Sequence, residues 1–424
     1  MDTNPSMEQG RQPRPRVVVI GGGFAGMSAV RELSVADVDV LLLDQHGYNT
    51  FQPLLYQVAT GGLNPGDVTY PLRAFTSRYR NASFRRAKVT GLDLQAKRVL
   101  TATGNPVEYD YLIICAGVAA NFFGTPGADE NALVMYSRAG ALHVRDKLMT
   151  SIEDAAQKLK GAPEPVVVVV GAGATGVEMA GALAELRNTA VPVAYPELSF
   201  SRVRVILVEM GDKVLAPFAP KLRDYTEKEL RERGVDLRLR TAVKEVRPHS
   251  VLLADGDQVP TAGTVWAAGV SAAPVTEGWS LPTGKSGRVK VRDDLRVEGY
   301  DNVFAVGDVA INEDDPLPQL AQPAIQGGRH AAVQIRRMLA GSPTEPFHYK
   351  DKGIMATIGR SDAVVQLPSG IKLKGFIAWI AWVLLHIVTL VGNRNRIATM
   401  ANLSVRYLAW PGALNLIVGD DPSE

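Results

Sequence analysis

Apolar residues in this chain form short continuous runs, and several runs are followed by segments in which apolar residues recur every three or four positions. The runs at 17–20 and 166–170 show this succession most plainly. A short apolar run bounded by turn residues is typical of a strand buried on both faces of a parallel sheet. The pattern that follows it is typical of an amphipathic helix. The chain is therefore predicted to be an α/β protein.

The same order of elements occurs twice along the chain. In residues 17–125 a strand, a glycine-rich turn and a helix are followed by an acidic residue and a closing strand, and residues 165–270 repeat this order. The repeat predicts two doubly wound, Rossmann-like domains. The apolar run 302–306, which precedes Gly307 and Asp308, is assigned to the first domain, so that the second domain is inserted in the first. The predicted boundaries are 16–125 with 300–345 for the first domain and 126–299 for the second.

The C-terminal region, residues 346–424, differs in character because it contains a long apolar segment. Residues 375–391 carry no formal charge, and the segment is at the lower limit of length for spanning a bilayer. Its Trp379 and Trp382 suit a membrane–water interface. The second apolar-rich segment, at 397–410, has residues at helical spacing and flanking arginines: Ile397, Met400, Ala401, Ser404, Tyr407 and Leu408, with Arg394, Arg396 and Arg406. These features predict a monotopic membrane-docking region, and the alternatives are a buried helix pair or a dimer interface.

The composition excludes several classes of protein. The chain has 424 residues, enough for two or three domains, with 46% hydrophobic residues and a formal net charge of +2. This balance indicates no nucleic-acid partner, and no metal site is predicted. Cys115 is the only cysteine, which excludes an intrachain redox dithiol, and it is expected to be a buried structural thiol. Residues 1–15 are polar and proline-rich without a signal-peptide core, and they predict a disordered segment that precedes a cytosolic protein.

Two glycine-rich turns follow buried strands and open helices, as in dinucleotide-binding sites. The first consists of Gly21, Gly22, Gly23, Phe24, Ala25 and Gly26, and the second of Gly171, Ala172, Gly173, Ala174, Thr175 and Gly176. In such a turn the first glycine adopts a backbone conformation that other residues avoid, the second lets a pyrophosphate approach, and the third allows close packing of helix on strand. Two turns predict two dinucleotides and electron transfer between them; the alternative is two turns without a ligand.

Acidic residues follow the next strand of each unit at the positions where a ribose is bound. Asp44 ends the predicted strand 38–43, and Glu209 ends the predicted strand 203–208, after a loop predicted at 188–200. A carboxylate accepts hydrogen bonds from ribose hydroxyls and repels a 2′-phosphate, so Glu209 favours NADH over NADPH. The nearby Arg202 and Arg204 argue in the other direction, and an acid that is merely solvated at a strand end is the alternative.

Three further polar residues are candidates because of their positions. Asp308 lies at the carboxyl end of a predicted parallel strand, where it would accept hydrogen bonds from a ribityl chain. Gln322 and Gln326 lie four residues apart before the predicted helix 329–340, and they share a face if this stretch is helical. Two amides on one face can bind carbonyl oxygens, although most such pairs are polar surface.

These motifs make residues 16–410 similar to type II NADH dehydrogenases, the single-subunit, non-proton-pumping NADH:quinone oxidoreductases. The two glycine turns are shared by all two-dinucleotide flavoproteins, and they therefore contribute least to this resemblance. The more particular segments are Thr50–Gly61, with the sequence TFQPLLYQVATG, and Ala321–Gln326, with the sequence AQPAIQ. The segments at 306–308, 375–379 and 394–396 also match.

The resemblance implies FAD in the first domain and NADH in the second. Hydride from NADH would pass to the FAD, and two electrons would then pass to a membrane quinone, at the cytoplasmic face of the cell membrane and without proton pumping. The implied FAD-binding residues are Gly21, Gly22, Gly23, Phe24, Ala25, Gly26, Asp44, Gln45, Val89, Ala116, Gly117, Asp308, Ala321 and Gln322. The implied NADH-binding residues are Gly171, Gly173, Ala174, Thr175, Gly176, Glu178, Glu209, Ala268 and Gly269.

Three residues take catalytic roles by the same resemblance. Glu178 corresponds to the acid that this family places near the nicotinamide and flavin, and Gln322 and Gln326 correspond to its quinone-binding pair. The chain departs from many relatives at Asn49, where they carry histidine, and at Cys115–Gly117, where Ala-Thr-Gly is common. It also carries Leu403 and Val405 where relatives often have tryptophans, which bears on the depth of membrane docking.

Two other functions share the glycine turns. A soluble NADH-dependent reductase of a ferredoxin or rubredoxin partner has no use for the apolar segment at 375–391. A flavoprotein that senses NADH and recruits partners would not turn over with a quinone. A sulfide:quinone or disulfide reductase is excluded by the single cysteine, and a homodimer is compatible with the sequence.

Overall fold

The computed structural model describes residues 14–157, 164–198 and 202–405. Residues 1–13 of the predicted disordered segment lie outside the described residues, and so do residues 406–410 of the second apolar segment. The described chain divides into two compact units. The first unit comprises residues 14–49, 71–119 and 271–350, and the second comprises residues 50–70, 120–270 and 351–405. The units differ from the predicted domains at 50–70, 120–125 and 271–299, and the predicted C-terminal region is divided between them, with 346–350 in the first unit and 351–405 in the second.

The helices and strands alternate along most of the described chain. The helices are α1 (Phe24–Leu33), α2 (Leu55–Ala59), α3 (Leu72–Thr76), α4 (Ala128–Asn131), α5 (Arg138–Ala156), α6 (Ala174–Glu185), α7 (Val191–Ala194), α8 (Pro220–Glu232), α9 (Ala321–Leu339), α10 (Gly375–Thr389) and α11 (Asn393–Ser404). Strands of the first half are β1 (Arg16–Ile20), β2 (Asp39–Asp44), β3 (Tyr48–Thr50), β4 (Thr69–Pro71), β5 (Ala82–Arg86), β6 (Val89–Asp93), β7 (Arg98–Thr101), β8 (Val107–Glu108), β9 (Tyr111–Ile114), β10 (Val118–Ala120), β11 (Ala132–Leu133), β12 (Val166–Val170) and β13 (Arg204–Val208). Strands of the second half are β14 (Asp236–Arg238), β15 (Val243–Arg247), β16 (Ser250–Leu253), β17 (Gln258–Pro260), β18 (Gly263–Trp266), β19 (Val270–Ala272), β20 (Val289–Lys290), β21 (Val303–Ala305), β22 (Ala310–Ile311), β23 (Ile354–Thr357), β24 (Ala363–Gln366) and β25 (Lys372–Lys374).

The first unit is built on a five-stranded parallel sheet in the order β21-β9-β1-β2-β5. β1 lies at the centre, with Val18 paired to Leu41 of β2 and to Leu112 of β9. Strand β21 pairs with β9, so the late apolar run of the sequence returns to this sheet. Helices α1 and α9 pack so closely at Gly328 that a Cβ on this residue would lie 2.1 Å from the Ala25 carbonyl oxygen.

The second unit repeats this architecture with the strand order β11-β18-β12-β13-β14, again parallel. All five residues of β12 are buried, as the apolar run predicted. The predicted α/β class with two parallel sheets is confirmed. Helix α6 follows β12 and lies close to the end of β23. A Cβ on Gly181 of α6 would be only 2.6 Å from the Ile358 carbonyl carbon.

Two predicted element boundaries are wrong. The segment 188–198, predicted as a loop, contains the end of a π-helical turn and the short helix α7. Helix α9 begins at Ala321 rather than near 329, because Pro323 falls in its first turn, where a missing N–H costs no hydrogen bond. Gln322 and Gln326 are therefore helical, and they lie on one face.

The C-terminal part of the second unit consists of the antiparallel sheet β23-β24-β25 and helices α10 and α11. Ala378 and Trp382 of α10 are buried, whereas its other large apolar residues are mostly exposed. The exposed large apolar residues of α10 are Phe376, Ile377, Ile380, Leu384, Leu385 and Val388. Among the described residues, no helix combines the length and the apolar character that crossing a membrane requires.

Helix α11 presents the residues that the spacing placed on one side. Ile397, Met400, Ala401 and Ser404 are all exposed, and Asn395 and Thr399 are buried. Asn395 Nδ2 donates to the Thr69 carbonyl oxygen at 2.6 Å and fixes the helix against its own unit. Of the two positions where relatives often carry tryptophan, Leu403 is buried and Val405 is exposed.

Candidate functional site

The first glycine turn has the geometry that its sequence predicts. Gly21 has a φ of 103°, and a Cβ there would lie 2.2 Å from the Cys115 carbonyl oxygen. A Cβ on Gly26 would lie 1.9 Å from the Gly21 carbonyl oxygen, so helix α1 can pack on the turn only with glycine there. Gly23 caps α1, and a Cβ on it would meet no atom within 4 Å. The space beside Gly23, at the start of α1, is therefore open.

Asp44 closes one side of this turn. Its Oδ2 accepts the Gly22 N–H at 2.7 Å, and its Oδ1 accepts the His46 N–H at 2.7 Å. Burial raises the pKa of Asp44, and the two N–H groups partly offset this rise. Asn49 Nδ2 donates to the Gly22 carbonyl oxygen at 2.8 Å. The turn is thus fixed by side chains on both sides of Gly22.

Asp308 carries an unpartnered acceptor. Its Oδ1 is buried and accepts no hydrogen bond from the described residues. Burial raises the pKa of Asp308 to about 6, with Arg288 acting in the opposite direction. The residue follows Gly307, which has a φ of 75° and turns the chain at the end of β21. A buried acceptor of this kind normally has a donor, so the carboxyl group suits a ligand hydroxyl.

The remaining predicted residues of the first unit have less defined surroundings. Val89 is buried in β6, and Gln45 is exposed, with its carbonyl oxygen accepting from Arg86 Nε at 3.1 Å. Ala116 is half-buried, and Gly117 has a φ of 71° with open space at its Cβ position. Cys115 is buried, and burial raises the pKa of its thiol, as expected for a structural cysteine.

The two glutamines of α9 differ in their hydrogen bonds. Gln326 pairs with the Lys350 backbone: its Oε1 accepts the Lys350 N–H at 3.0 Å, and its Nε2 donates to the Lys350 carbonyl oxygen at 2.9 Å. Gln326 Nε2 also lies 3.3 Å from Gln322 Oε1. The Gln322 amide nitrogen makes no hydrogen bond with the described residues, so Gln322 is the one of the pair with a donor to spare.

The second glycine turn repeats the first. Gly171 has a φ of 96°, and a Cβ there would lie 2.5 Å from the Ala268 Cα. A Cβ on Gly176 would lie 1.8 Å from the Gly171 carbonyl oxygen, whereas one on Gly173 would meet no atom within 4 Å. Ala174 and Thr175 of the first turn of α6 are exposed. Gly269, after β18, lies against Phe123, whose Cζ would be 2.6 Å from an added Cβ.

Glu209 occupies the place that Asp44 has in the first turn. Its Oε2 accepts the Ala172 N–H at 2.7 Å, and its Oε1 accepts the Gly211 N–H at 2.6 Å. The arginines that argued for NADPH are engaged elsewhere. Arg202 pairs with Glu164 at 3.0 Å, and Arg204, at the far end of β13, lies 3.4 Å from Asp236. Neither ion pair involves Glu209.

Glu178 lies on α6 against the C-terminal part of the second unit. Its Oε1 accepts the Thr357 N–H at 3.3 Å. Burial raises the pKa of Glu178 to about 8, and the hydrogen bond from the Thr357 N–H acts in the opposite direction. At pH 7 the carboxyl group is mostly protonated, and it can donate one hydrogen bond as well as accept.

Sequence reasoning missed the residues around Glu178. Trp382 was noted only as an interface residue, yet it is 3% exposed. Tyr56 lies close by, with its hydroxyl 2.9 Å from Thr357 Oγ1 and its ring in edge contact with Trp382. Ala378 and Trp382, four residues apart, are the buried residues of α10, but residues 375–391 are apolar on nearly every side and the sequence does not distinguish this one.

Comparison with known proteins identifies the family. Residues 15–328 match the family model described as pyridine nucleotide-disulphide oxidoreductase. The type II NADH:quinone oxidoreductase Ndh of Mycobacterium tuberculosis is 37% identical, over 96% of this chain and 91% of that protein. The type II NADH:quinone oxidoreductase of Staphylococcus haemolyticus is 33% identical, over 83% of this chain and 90% of that protein.

A solved structure agrees with these relatives. NDH2 from Plasmodium falciparum in complex with NADH matches with a TM-score of 0.85 at 20% identity, over 94% of this chain and 99% of that chain. A ferredoxin reductase from Rhodopseudomonas palustris matches with a TM-score of 0.67 at 20% identity, over 84% of this chain and 83% of that chain. At these identities the two solved structures show only that the fold is shared. The family is identified by the sequence relatives, which are more similar to this chain. The chain belongs to the pyridine nucleotide-disulphide oxidoreductase family and, within it, to the type II NADH:quinone oxidoreductases.

Proposed function

We propose that this type II NADH:quinone oxidoreductase binds FAD in its first unit and NADH in its second, and reduces a membrane quinone beside the glutamines of α9. The observation that carries the proposal is the pair of glycine turns. Each has open space at the start of a helix, and each has a carboxylate, Asp44 or Glu209, bonded to its backbone. No feature of the described residues specifically supports the alternative function, a soluble ferredoxin-type reductase.

The residues of the first unit suit FAD. The N–H groups at the start of α1 would meet its pyrophosphate, Asp44 the adenosine ribose, and the unpartnered Oδ1 of Asp308 the ribityl chain. When bound, FAD supplies the two-electron chemistry that links NADH oxidation to quinone reduction. With its single buried cysteine, the chain itself contributes binding, orientation and electrostatics rather than a redox dithiol.

The residues of the second unit suit NADH. The start of α6 would bind the pyrophosphate, with Gly173 leaving space for it, and Glu209 would accept from the ribose hydroxyls. Glu178 would orient the nicotinamide carboxamide, which offers both a donor and an acceptor to a protonated carboxyl group. Orientation of this kind makes hydride transfer effectively unimolecular, which is worth roughly 7–11 kcal/mol when it is complete.

The α9 glutamines would bind the quinone. Gln326 is tied to the Lys350 backbone by two hydrogen bonds and accordingly acts as a support, holding Gln322 by its Oε1. Gln322 then presents its amide nitrogen as a donor, which is what a quinone carbonyl oxygen requires. The proposal therefore gives different roles to two residues that look alike in the sequence.

Replacing Gln326 with alanine is expected to slow quinone reduction by about 10- to 100-fold, since unsatisfied polar groups cost about 1–3 kcal/mol. NADH should still bleach the flavin at the normal rate, because NADH binding is assigned to residues of the second unit and Gln326 belongs to the first. Stopped-flow absorbance measures the two half-reactions separately. Gln157→Ala is the matched control, since Gln157 makes the same amide contact, to Glu153 four residues earlier, on an exposed helix end.

Equal loss of both half-reactions in Gln326→Ala would contradict the quinone assignment. A variant with less FAD would also give equal loss, and for this reason the flavin content is measured first. Gln322→Leu extends the test: it removes the donor while it leaves the Lys350 pairing in place, so it should slow quinone reduction at least as much as Gln326→Ala.

We propose further that the chain lies on the cytoplasmic face of a membrane through α10 and α11. The exposed residues of these helices form a large apolar surface, which is unusual for a face turned to water. Lys372, Lys374, Arg394 and Arg396 flank it and suit anionic head groups. The alternative occupant of this surface is a second copy of the chain.

The double substitution Leu384→Asp and Val388→Asp should reduce binding to vesicles by at least about 100-fold. The two side chains are 58% and 64% exposed, and burying each in lipid is worth about 1.5–3 kcal/mol. Vesicle flotation measures the bound fraction, and Val35→Asp, at a residue that is 74% exposed in the first unit, is the control. If flotation is unchanged while a dimer dissociates in sedimentation experiments, the surface is a subunit interface.

A further inference from the structure

Residues 121–123, which precede helix α4, are attached to the end of strand β18 in the second unit. The Asn121 N–H donates to the Gly269 carbonyl oxygen at 3.0 Å, and the Asn121 carbonyl oxygen accepts from Trp266 Nε1 at 2.8 Å. The Phe122 ring packs against the Trp266 ring, with 5.6 Å between the ring centroids. These contacts hold the segment at the carboxyl end of β18.

Phe123 has an unusual backbone conformation for an aromatic residue. Its φ is 51°, in the left-handed region that side chains other than asparagine and aspartate seldom adopt. Its N–H donates to Asn121 Oδ1 at 2.9 Å, which stabilises this conformation. Burial of the side chain does not explain the conformation, since Phe123 is 65% exposed. Residues held in sparsely populated conformations cluster at ligand-binding sites, so the exposed ring is a candidate for a ligand contact.

The Phe123 ring lies on the backbone of the turn that follows β18. A Cβ on Gly269 would lie 2.6 Å from Phe123 Cζ and 3.0 Å from Phe123 Cε2, so the ring is placed directly over Gly269. The same turn touches the second glycine turn, because a Cβ on Gly171 would lie 2.5 Å from the Ala268 Cα. The exposed ring is therefore separated from the second glycine turn only by residues 267–269.

The strand order gives the direction in which a bound NADH would extend. Strand β12, which leads into the second glycine turn, lies between β13 and β18, and the three strands are parallel. Glu209 follows β13 on one side of the glycine turn, and Phe123 lies at the end of β18 on the other side. A dinucleotide with its adenosine ribose at Glu209 and its pyrophosphate over the start of α6 extends its nicotinamide half toward β18.

We propose that Phe123 is a contact residue for the nicotinamide riboside half of NADH, with its ring packed against that half and supported from behind by the backbone of Gly269. The inference rests on the proposed binding of NADH to the second unit. Glu209 and the start of α6 offer polar contacts only, whereas an aromatic ring packs favourably against a planar heterocycle. The left-handed conformation then has a function, because it places the ring over Gly269.

Phe123→Gly in the full-length protein with bound FAD tests the proposal, because glycine adopts a φ of 51° without strain and removes the ring. Isothermal titration calorimetry measures the binding of NAD⁺, which cannot reduce the oxidised flavin. It also measures the binding of ADP, which contains the adenosine and the pyrophosphate but lacks the nicotinamide riboside. Lys97→Gly is the matched control, since Lys97 is an exposed residue of the first unit with a φ of 52°.

We expect Phe123→Gly to weaken NAD⁺ binding by about 10-fold and to leave ADP binding unchanged, since ADP lacks the half that meets the ring. The unfolding temperature should stay close to that of the natural protein, because relief of the left-handed conformation offsets the greater freedom of glycine in the unfolded chain. Phe123→Tyr, which keeps the ring, and Lys97→Gly should bind both ligands normally. If Phe123→Gly fails to retain FAD, Phe123→Asn is used instead, with the same expected result, because asparagine also adopts the left-handed conformation.

Unchanged NAD⁺ binding in folded Phe123→Gly would overturn the inference. An equal loss of NAD⁺ and ADP binding would also overturn it, because the ring would then serve only to support the turn at Gly269. Failure of the proposed NADH site gives a different result. If Gly173→Val binds NAD⁺ and ADP as the natural protein does, the assignment of NADH to the second unit fails, and the role of Phe123 fails with it. If Gly173→Val loses both ligands and Phe123→Gly loses neither, the NADH assignment holds and only the role of Phe123 is wrong.

Discussion

Replacing Gly23 with valine is expected to give a folded, colourless protein that no longer transfers electrons from NADH to quinone. Gly23 has a φ of −78° and a ψ of −163°, an extended conformation that valine adopts readily. A Cβ there would meet no protein atom within 4 Å, so the protein alone does not obstruct the start of the new side chain. The same space lies over the N–H groups at the start of α1, where a pyrophosphate would be bound.

The measurement combines the flavin absorbance of the purified protein, FAD addition, and thermal unfolding by circular dichroism. We expect no bound FAD, quinone reduction below detection, and a far-ultraviolet spectrum like that of the natural protein. Gly278→Val is the control, since Gly278 is an exposed glycine of the first unit whose Cβ position is also open. A yellow Gly23→Val protein with one FAD per chain would contradict the assignment of this turn.

Much of the fold could be predicted because its signals are local in the sequence. Strand β12 is five valines, and the turn after it needs glycines at fixed positions, so a short window of the sequence carries the prediction. The acids Asp44 and Glu209 follow their strands directly, and the structure bonds each to the backbone of its turn. In such motifs, residues that interact in the structure also lie at a fixed, short spacing in the sequence.

The parts that could not be predicted depend on contacts between distant residues. Gln326 and Lys350 are 24 positions apart, and nothing in either residue indicates that the amide pairs with that backbone. Glu178 and Thr357 are 179 positions apart, and their hydrogen bond depends on how closely α6 approaches β23. Gly181 permits this approach because it has no side chain. Nothing in the sequence indicates that the Ile358 backbone lies beside it.

The apolar segment illustrates a third case, in which one pattern serves two purposes. Its overall hydrophobicity predicted an interface with lipid, and this interpretation treated Trp379 and Trp382 alike. In the structure Trp382 is buried against its own unit and Trp379 is half-buried. A segment that is apolar on nearly every side carries no periodic signal to show which side faces inward, and only His386, as its one ionisable side chain, breaks the pattern.

Replacing Gly173 with valine should produce the complementary phenotype, a yellow protein that hardly reacts with NADH. Gly173 has a φ of −69° and a ψ of −175°, and a Cβ there would meet no protein atom within 4 Å. The side chain would occupy the space over the start of α6. If it displaces two charge-assisted hydrogen bonds to the pyrophosphate, each worth about 1.5–3 kcal/mol, the affinity for NADH falls by about 100-fold or more.

The test follows flavin bleaching in a stopped-flow instrument over a range of NADH concentrations, after the FAD content has been measured. Half-maximal bleaching should require at least about 100-fold more NADH, whereas reoxidation by quinone of chemically reduced protein should be unchanged. Gly66→Val, at an exposed glycine of the second unit with open space, should behave as the natural protein. If Gly173→Val lost FAD and Gly23→Val kept it, the two cofactor assignments would have to be exchanged. If both variants lost only FAD, the second turn would not be the NADH site, because its open helix end would then serve neither dinucleotide.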